Sequence, residues 1–252
     1  MSKISDRLAK LGQVEQAGFG FGASASGKKI PVILVGVRID KPDDADSLSA
    51  DLFILAPGST GSAQTSPVKD VALWGVAVAG GTGDEVEKAV KAGADFVVVE
   101  DESAPGAALL DDEIGRGFVV GNGVTDDRAR GIDSGPFDFL VLNEITVAMP
   151  LNVRATLDIQ EQMSRYSRHI FLKLGELPEK SDLEILRDMG ISALIYDLGP
   201  AGKLDLAGLL RAIEELEPKK HRPSSGAVLP DGGKAAAHQE TDFDDQDDDD
   251  WD

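Results

Sequence analysis

Runs of mostly apolar residues recur along the chain at nearly even intervals: Val32–Val37, Asp51–Leu55, Trp74–Val78, Asp95–Val99, Phe118–Val120, Asp138–Leu142, Ile170–Leu174 and Ser192–Tyr196. Their first residues lie 19 to 32 positions apart. The apolar positions are continuous rather than alternating, which is how parallel strands buried on both faces read. Even recurrence points to one unit repeated along the chain.

Between the runs the period changes. Leu151, Ala155, Ile159, Met163 and Tyr166 make an apolar stripe at helical spacing. Leu206, Leu209, Leu210, Ile213 and Leu216 make another, with Asp205 placed to cap it. Thr82 with Glu85, and Ser181 with Glu184, have the spacing of capping boxes, with Gly93 and Gly190 as the stops. Ile4, Leu8, Leu11 and Val14 predict one more helix ahead of the first strand. The links after the first, second and fifth strands read as short or irregular pieces.

Eight strands alternating with helices define the expected fold class: α/β, a compact (β/α)8 TIM-type barrel with an extra N-terminal helix. An open doubly wound sheet is the alternative, but it usually has five or six strands and a switch point, and none is visible. Residues 1–30 form the leading helix and loop, 31–217 the barrel, and 218–252 a linker and tail. The barrel segment falls below the roughly 200-residue lower range of this fold, which implies short helices.

Charge refines this picture. The formal net charge is −20. Nine of the 45 acids lie beyond residue 239, where there is no Lys or Arg. The other 36 face 25 basic residues, so the body is only moderately acidic. Such a balance disfavours nucleic-acid binding, which needs a basic face to meet phosphates. The stretch from Pro218 to Gln239 has no apolar period and reads as a flexible linker. The tail beyond it is expected to be disordered. Its sequence FDDQDDDDWD is either a solvating appendage or a docking peptide, Asp242–Asp252, for a protein partner with a basic groove. In the second case Phe243 or Trp251 supplies the apolar anchor.

The absence of Cys excludes disulfides, thiolate zinc sites and thiol nucleophiles. No apolar run approaches the ~20 residues of a membrane helix. The N-terminus is polar and amphipathic rather than a secretory signal, so a cytoplasmic location is the expectation. Gly22 to Lys28, GASASGK, has the spacing of a phosphate-binding P-loop. Lys29 stands where that motif needs Ser or Thr, and a strand follows where it needs a helix, so the motif is rejected.

In a barrel, function sits at the C-terminal ends of the strands. Those ends carry Arg38 and Asp40, Ser59 and Thr60, Gly80 to Thr82, Glu100 to Glu102, Asn122, Asn143 with Glu144, Lys173 with Glu176, and Asp197. His is absent from the set, so acid–base work there falls to carboxylates or Lys. Lys173 is the most informative residue. It lies inside a strand buried on both faces, where an unpaired ammonium is costly. It is expected to point into the barrel mouth, with Glu100, Glu144 and Asp197 as partners. That arrangement serves a Schiff-base or substrate-binding Lys, or else an ion pair that closes the barrel top. The three carboxylates are the donor type a hard cation such as magnesium takes. An acidic chain puts acids on strand ends by composition alone, so no metal and no cofactor is assigned.

The segment VAVAGGTGDEVEKAVKAGADFVVVE, Val76 to Glu100, resembles the strand–Gly turn–helix–strand unit of the phosphate-binding (β/α)8 barrels of the aldolase and synthase group. The resemblance implies that the backbone of Gly80, Gly81 and Thr82 offers N–H groups to a substrate anion, with Arg38 near it. Two function classes follow. One is a barrel with a small-molecule site in its mouth and lyase- or aldolase-type chemistry on a phosphorylated or carboxylated metabolite. There Lys173, Glu144, Glu100 and Asp197 are the catalytic candidates. The other is a barrel without catalysis, a binding or assembly module whose acidic tail docks a partner.

Overall fold

The apolar runs become strands because β-branched and aromatic side chains suit a pleated backbone covered on both faces. A computed structural model of the chain describes residues 2–13, 30–58, 73–80, 83–121, 123–143, 147–201 and 203–217. The strands are β1 (Leu34–Ile39), β2 (Leu52–Leu55), β3 (Leu73–Val78), β4 (Phe96–Val99), β5 (Gly115–Val120), β6 (Phe139–Leu142), β7 (His169–Lys173) and β8 (Ile191–Asp197). Each pairs in parallel with the next, and β8 pairs with β1, so the sheet closes. The fold is a (β/α)8 TIM barrel, and the open-sheet alternative is excluded by the β1–β8 ladder.

The helices are α1 (Lys3–Ala9), α2 (Gly83–Lys91), α3 (Asp126–Asp133), α4 (Val153–Met163), α5 (Lys180–Met189), α6 (Leu198–Ala201) and α7 (Leu206–Glu214). A 3-10 turn, Pro42–Ser47, replaces a helix after β1, and another, Gly106–Leu109, follows β4. Asp205 caps α7 by accepting the Gly208 N–H. The cap of α5 is a correction: Glu179 and Asp182 form the box, two residues before Ser181 and Glu184. Asp182 wins because its second oxygen also accepts the Leu151 N–H at 2.9 Å, a contact from outside the helix.

Two apolar layers result. Alternate strand residues face the helices, and the others fill the barrel. Phe96, Phe139 and Phe171 dominate the interior. Phe139 stacks on Phe171 with centroids 4.2 Å apart and meets Phe96 edge-on at 5.8 Å. These rings fit because the odd strand beside them carries glycine. A Cβ on Gly75 would lie 2.3 Å from the Phe96 ring, and one on Gly117 2.3 Å from the Phe139 ring. Helix α1 closes the N-terminal end of the barrel with Ile4 and Leu8, both buried in the interior cluster.

One device repeats three times at that end. The residue before each of β2, β4 and β6 is an aspartate, Asp51, Asp95 or Asp138. Each carboxylate accepts the N–H of one residue on the preceding strand: Val35 at 2.8 Å, Trp74 at 3.0 Å and Arg116 at 2.8 Å. Each aspartate N–H returns a bond to the carbonyl of that same residue. In the strands around them the pattern is X-Gly then Asp-Leu or Asp-Phe, a two-strand unit used three times. The β7–β8 pair lacks the device: β7 has no glycine, Gly190 precedes β8, and Ser192 within β8 instead bonds the His169 ring at Nδ1, 3.1 Å away.

Tyr196 faces the helix layer, fully buried, and its hydroxyl has no hydrogen-bond partner among the described residues. Burial pushes its phenol far above the ordinary value. Leaving such a group unsatisfied costs about 1–3 kcal/mol. Tyr196→Phe is therefore expected to leave stability unchanged or raise it by about 1 kcal/mol in urea unfolding. A clear loss would show that the hydroxyl is bonded after all.

Candidate active site at the barrel mouth

Strand period sets the mouth. Gly36, Val98, Val141, Phe171 and Ile195 face the barrel interior, and the residue two positions on in each strand projects at its C-terminal end. Those residues are Arg38, Glu100, Asn143, Lys173 and Asp197. All five, with Asp101, line a cavity of about 250 Å³. Its floor is apolar, made by Ile54, Val98, Val119, Val141 and Ile195. Sequence reading named the polar rim but not this floor, although the same alternation carries it.

Two ion pairs span the rim. Lys173 Nζ lies 3.0 Å from Asp197 Oδ2, between neighbouring strands β7 and β8. Arg38 Nη1 lies 2.6 Å from Glu100 Oε1, linking β1 to the end of β4. All four side chains are partly exposed, so both pairs are open to exchange with solvent or ligand. Lys173 thus faces the mouth rather than the helix layer. Of the three carboxylates expected beside it, Asp197 is there, Glu100 is taken by Arg38, and Glu144 lies outside the described residues. Asp101 is fully solvated, and the Ser103 hydroxyl and N–H beside it hold its carboxyl below the ordinary value.

The remaining candidates fall around this centre. Gly80 follows β3 with a left-handed φ of 63°, which suits glycine, and does not line the cavity. Gly81 and Thr82, the rest of the proposed anion turn, lie outside the described residues, as do Ser59, Thr60, Asn122 and the acidic tail. Glu176 accepts the Met149 N–H at 3.2 Å, tying the loop after β7 to the one after β6. Glu102 is paired with Arg128 at 2.7 Å. His169 opens β7 at the opposite end, beside a second cleft of about 430 Å³ lined by α1 and the starts of β7 and β8. Among the described residues no three acids or histidines gather to hold a metal ion, and no helix is long and apolar enough to cross a membrane.

No family model matches the chain, and no curated protein matches it. Solved structures do. The 3-keto-L-gulonate-6-phosphate decarboxylase of Vibrio cholerae O1 biovar El Tor str. N16961 superposes with a TM-score of 0.55 at 12% identity, over 74% of this chain and 99% of that one. KGPDC from Streptococcus mutans gives 0.54 at 14%, over 72% and 95%. Thiamine phosphate pyrophosphorylase from Pyrococcus furiosus gives 0.51 at 14%, over 73% and 96%. At such identities the likeness is one of fold. It agrees with the (β/α)8 barrel that the resemblance of Val76 to Glu100 implied.

Proposed function

We propose that the barrel mouth is a small-molecule site with lyase- or aldolase-type chemistry on a small carboxylated or phosphorylated metabolite. The observation that carries this reading is the open cavity itself: a cation on β1 and another on β7, each held by a carboxylate, over an apolar floor. A volume of about 250 Å³ lies below the ~300–1,000 Å³ of drug-sized pockets and favours a small metabolite. The phosphorylated compounds in the names of the similar decarboxylase and pyrophosphorylase support an anionic substrate.

In this reading Lys173 is either nucleophile or electrostatic clamp. As nucleophile its amine gives up a proton to Asp197 and attacks a substrate carbonyl. The carbinolamine then loses water, its hydroxyl leaving with the proton that Asp197 took from Lys173, and a protonated imine forms, with Glu100 or Glu144 left as proton carrier for the later steps. That imine draws the electron pair of the adjacent C–C or C–H bond toward nitrogen as the bond breaks. Arg38, which lines the cavity, serves the anionic end of the substrate.

Pyruvate and borohydride test the assignment. Peptide mass mapping is expected to find the reduced adduct on Lys173, none in Lys173→Arg, and at least tenfold slower labelling in Asp197→Asn. Binding without an adduct removes the nucleophile role and leaves the clamp. A mouth that binds neither pyruvate nor inorganic phosphate sinks the proposed site.

A further inference from the structure

The charges at the mouth are polarised across the barrel. Arg38 and Lys173 stand on β1 and β7, the two strands that flank β8. Asp197, at the end of β8, sits between them. Glu100 and Asp101 follow β4, which in a ring of eight lies opposite β8. One arc therefore carries two cations and one acid, and the facing arc carries two acids. The described lining holds one more carboxylate than cations.

The Arg38–Glu100 pair reaches from one arc to the other. Its chemistry limits what can displace it. A lone anion that draws Arg38 away leaves Glu100 unpaired beside Asp101, where the described lining already has fewer cations than carboxylates. A phosphate dianion makes that worse. A lone amine on Glu100 leaves Arg38 without its carboxylate. A ligand with both groups exchanges the pair fully: its ammonium takes Glu100, and Arg38 swings its planar fork to its carboxylate, supported by Lys173. The apolar floor between the arcs fits a short hydrocarbon link.

We propose that the mouth takes a small zwitterion, with its carboxylate toward β1 and β7, its ammonium toward β4, and a short apolar chain between them. This inference rests on the mouth being the site proposed above, and it selects the carboxylated class over the phosphorylated one. Arg38 and Glu100 are then the specificity-determining pair.

Calorimetric titration of the full chain tests it with four probes: γ-aminobutyrate, butyrate, butylamine and inorganic phosphate. γ-Aminobutyrate is expected to bind at least tenfold more tightly than each of the others. Arg38→Met should erase its advantage over butylamine. Glu100→Gln should weaken γ-aminobutyrate at least tenfold and strengthen butyrate at least threefold, a gain that misfolding does not produce. If butyrate or phosphate binds as tightly as γ-aminobutyrate, the zwitterion is wrong and the mouth remains an anion site. If none of the four binds the unsubstituted protein, the zwitterion falls, and the mouth as a site falls with it when pyruvate also fails to bind.

Discussion

Phe139→Ala is expected to destabilise the barrel by roughly 3–5 kcal/mol, the usual range for deleting a fully buried ring. Phe139 is fully buried, stacks on Phe171 and meets the edge of Phe96. It fills the middle of the barrel, where the closed sheet cannot collapse inward to heal a void. Urea unfolding reads the loss. The reverse change tests the same packing from the other side. Gly117→Ala places a methyl 2.3 Å from that ring and should cost about 1–3 kcal/mol through overpacking. Combining Gly117→Ala with Phe139→Leu should recover part of that cost, because the smaller side chain vacates the clash. Strict additivity of the two changes, or a loss below about 1 kcal/mol for Phe139→Ala, would show that ring and glycine are not packed together.

The aspartate clasps give the second large effect. Asp95→Ala removes the acceptor of the buried Trp74 N–H, and an orphaned buried donor costs about 1–3 kcal/mol. The same carboxylate also holds Lys3 Nζ at 2.6 Å. That Lys is three-quarters exposed, so its pair adds little, about 0–1 kcal/mol. Asp51→Ala and Asp138→Ala should resemble Asp95→Ala, because each strips one strand N–H in the same way. Lys3→Met should cost far less than any of them. Equal losses for Lys3→Met and Asp95→Ala in chemical denaturation would assign the stability to the ion pair instead of the clasp.

Legibility varied with how local the cause was. The eight strands stood out because parallel strands covered on both faces must be continuously apolar. The caps at Asp205 and Gly190 were readable because a helix end is satisfied within a few residues. The α5 N-cap was not, since Asp182 is chosen through Leu151, 31 positions away. Helix α3 left no stripe to read: it is two turns long and buries only Ala129 and Ile132.

At the mouth, strand ends already placed Arg38, Glu100, Asn143, Lys173 and Asp197 in one larger set of rim residues; the two-residue period of the strands is what picks these five out of it. The sequence also argued that Lys173 avoids the helix layer, where its ammonium would meet only apolar side chains. Which carboxylate meets which cation was not readable. Lys173 takes Asp197 from the adjoining strand, whereas Glu100 goes to Arg38. The order of residues along the chain does not encode that choice, because Arg38 at the end of β1 reaches Glu100 after β4 only across the mouth of the closed ring. Burial pattern is a property of each strand alone and so was written in the sequence. The pairing of charges is a property of the ring, and only the tertiary structure sets those distances.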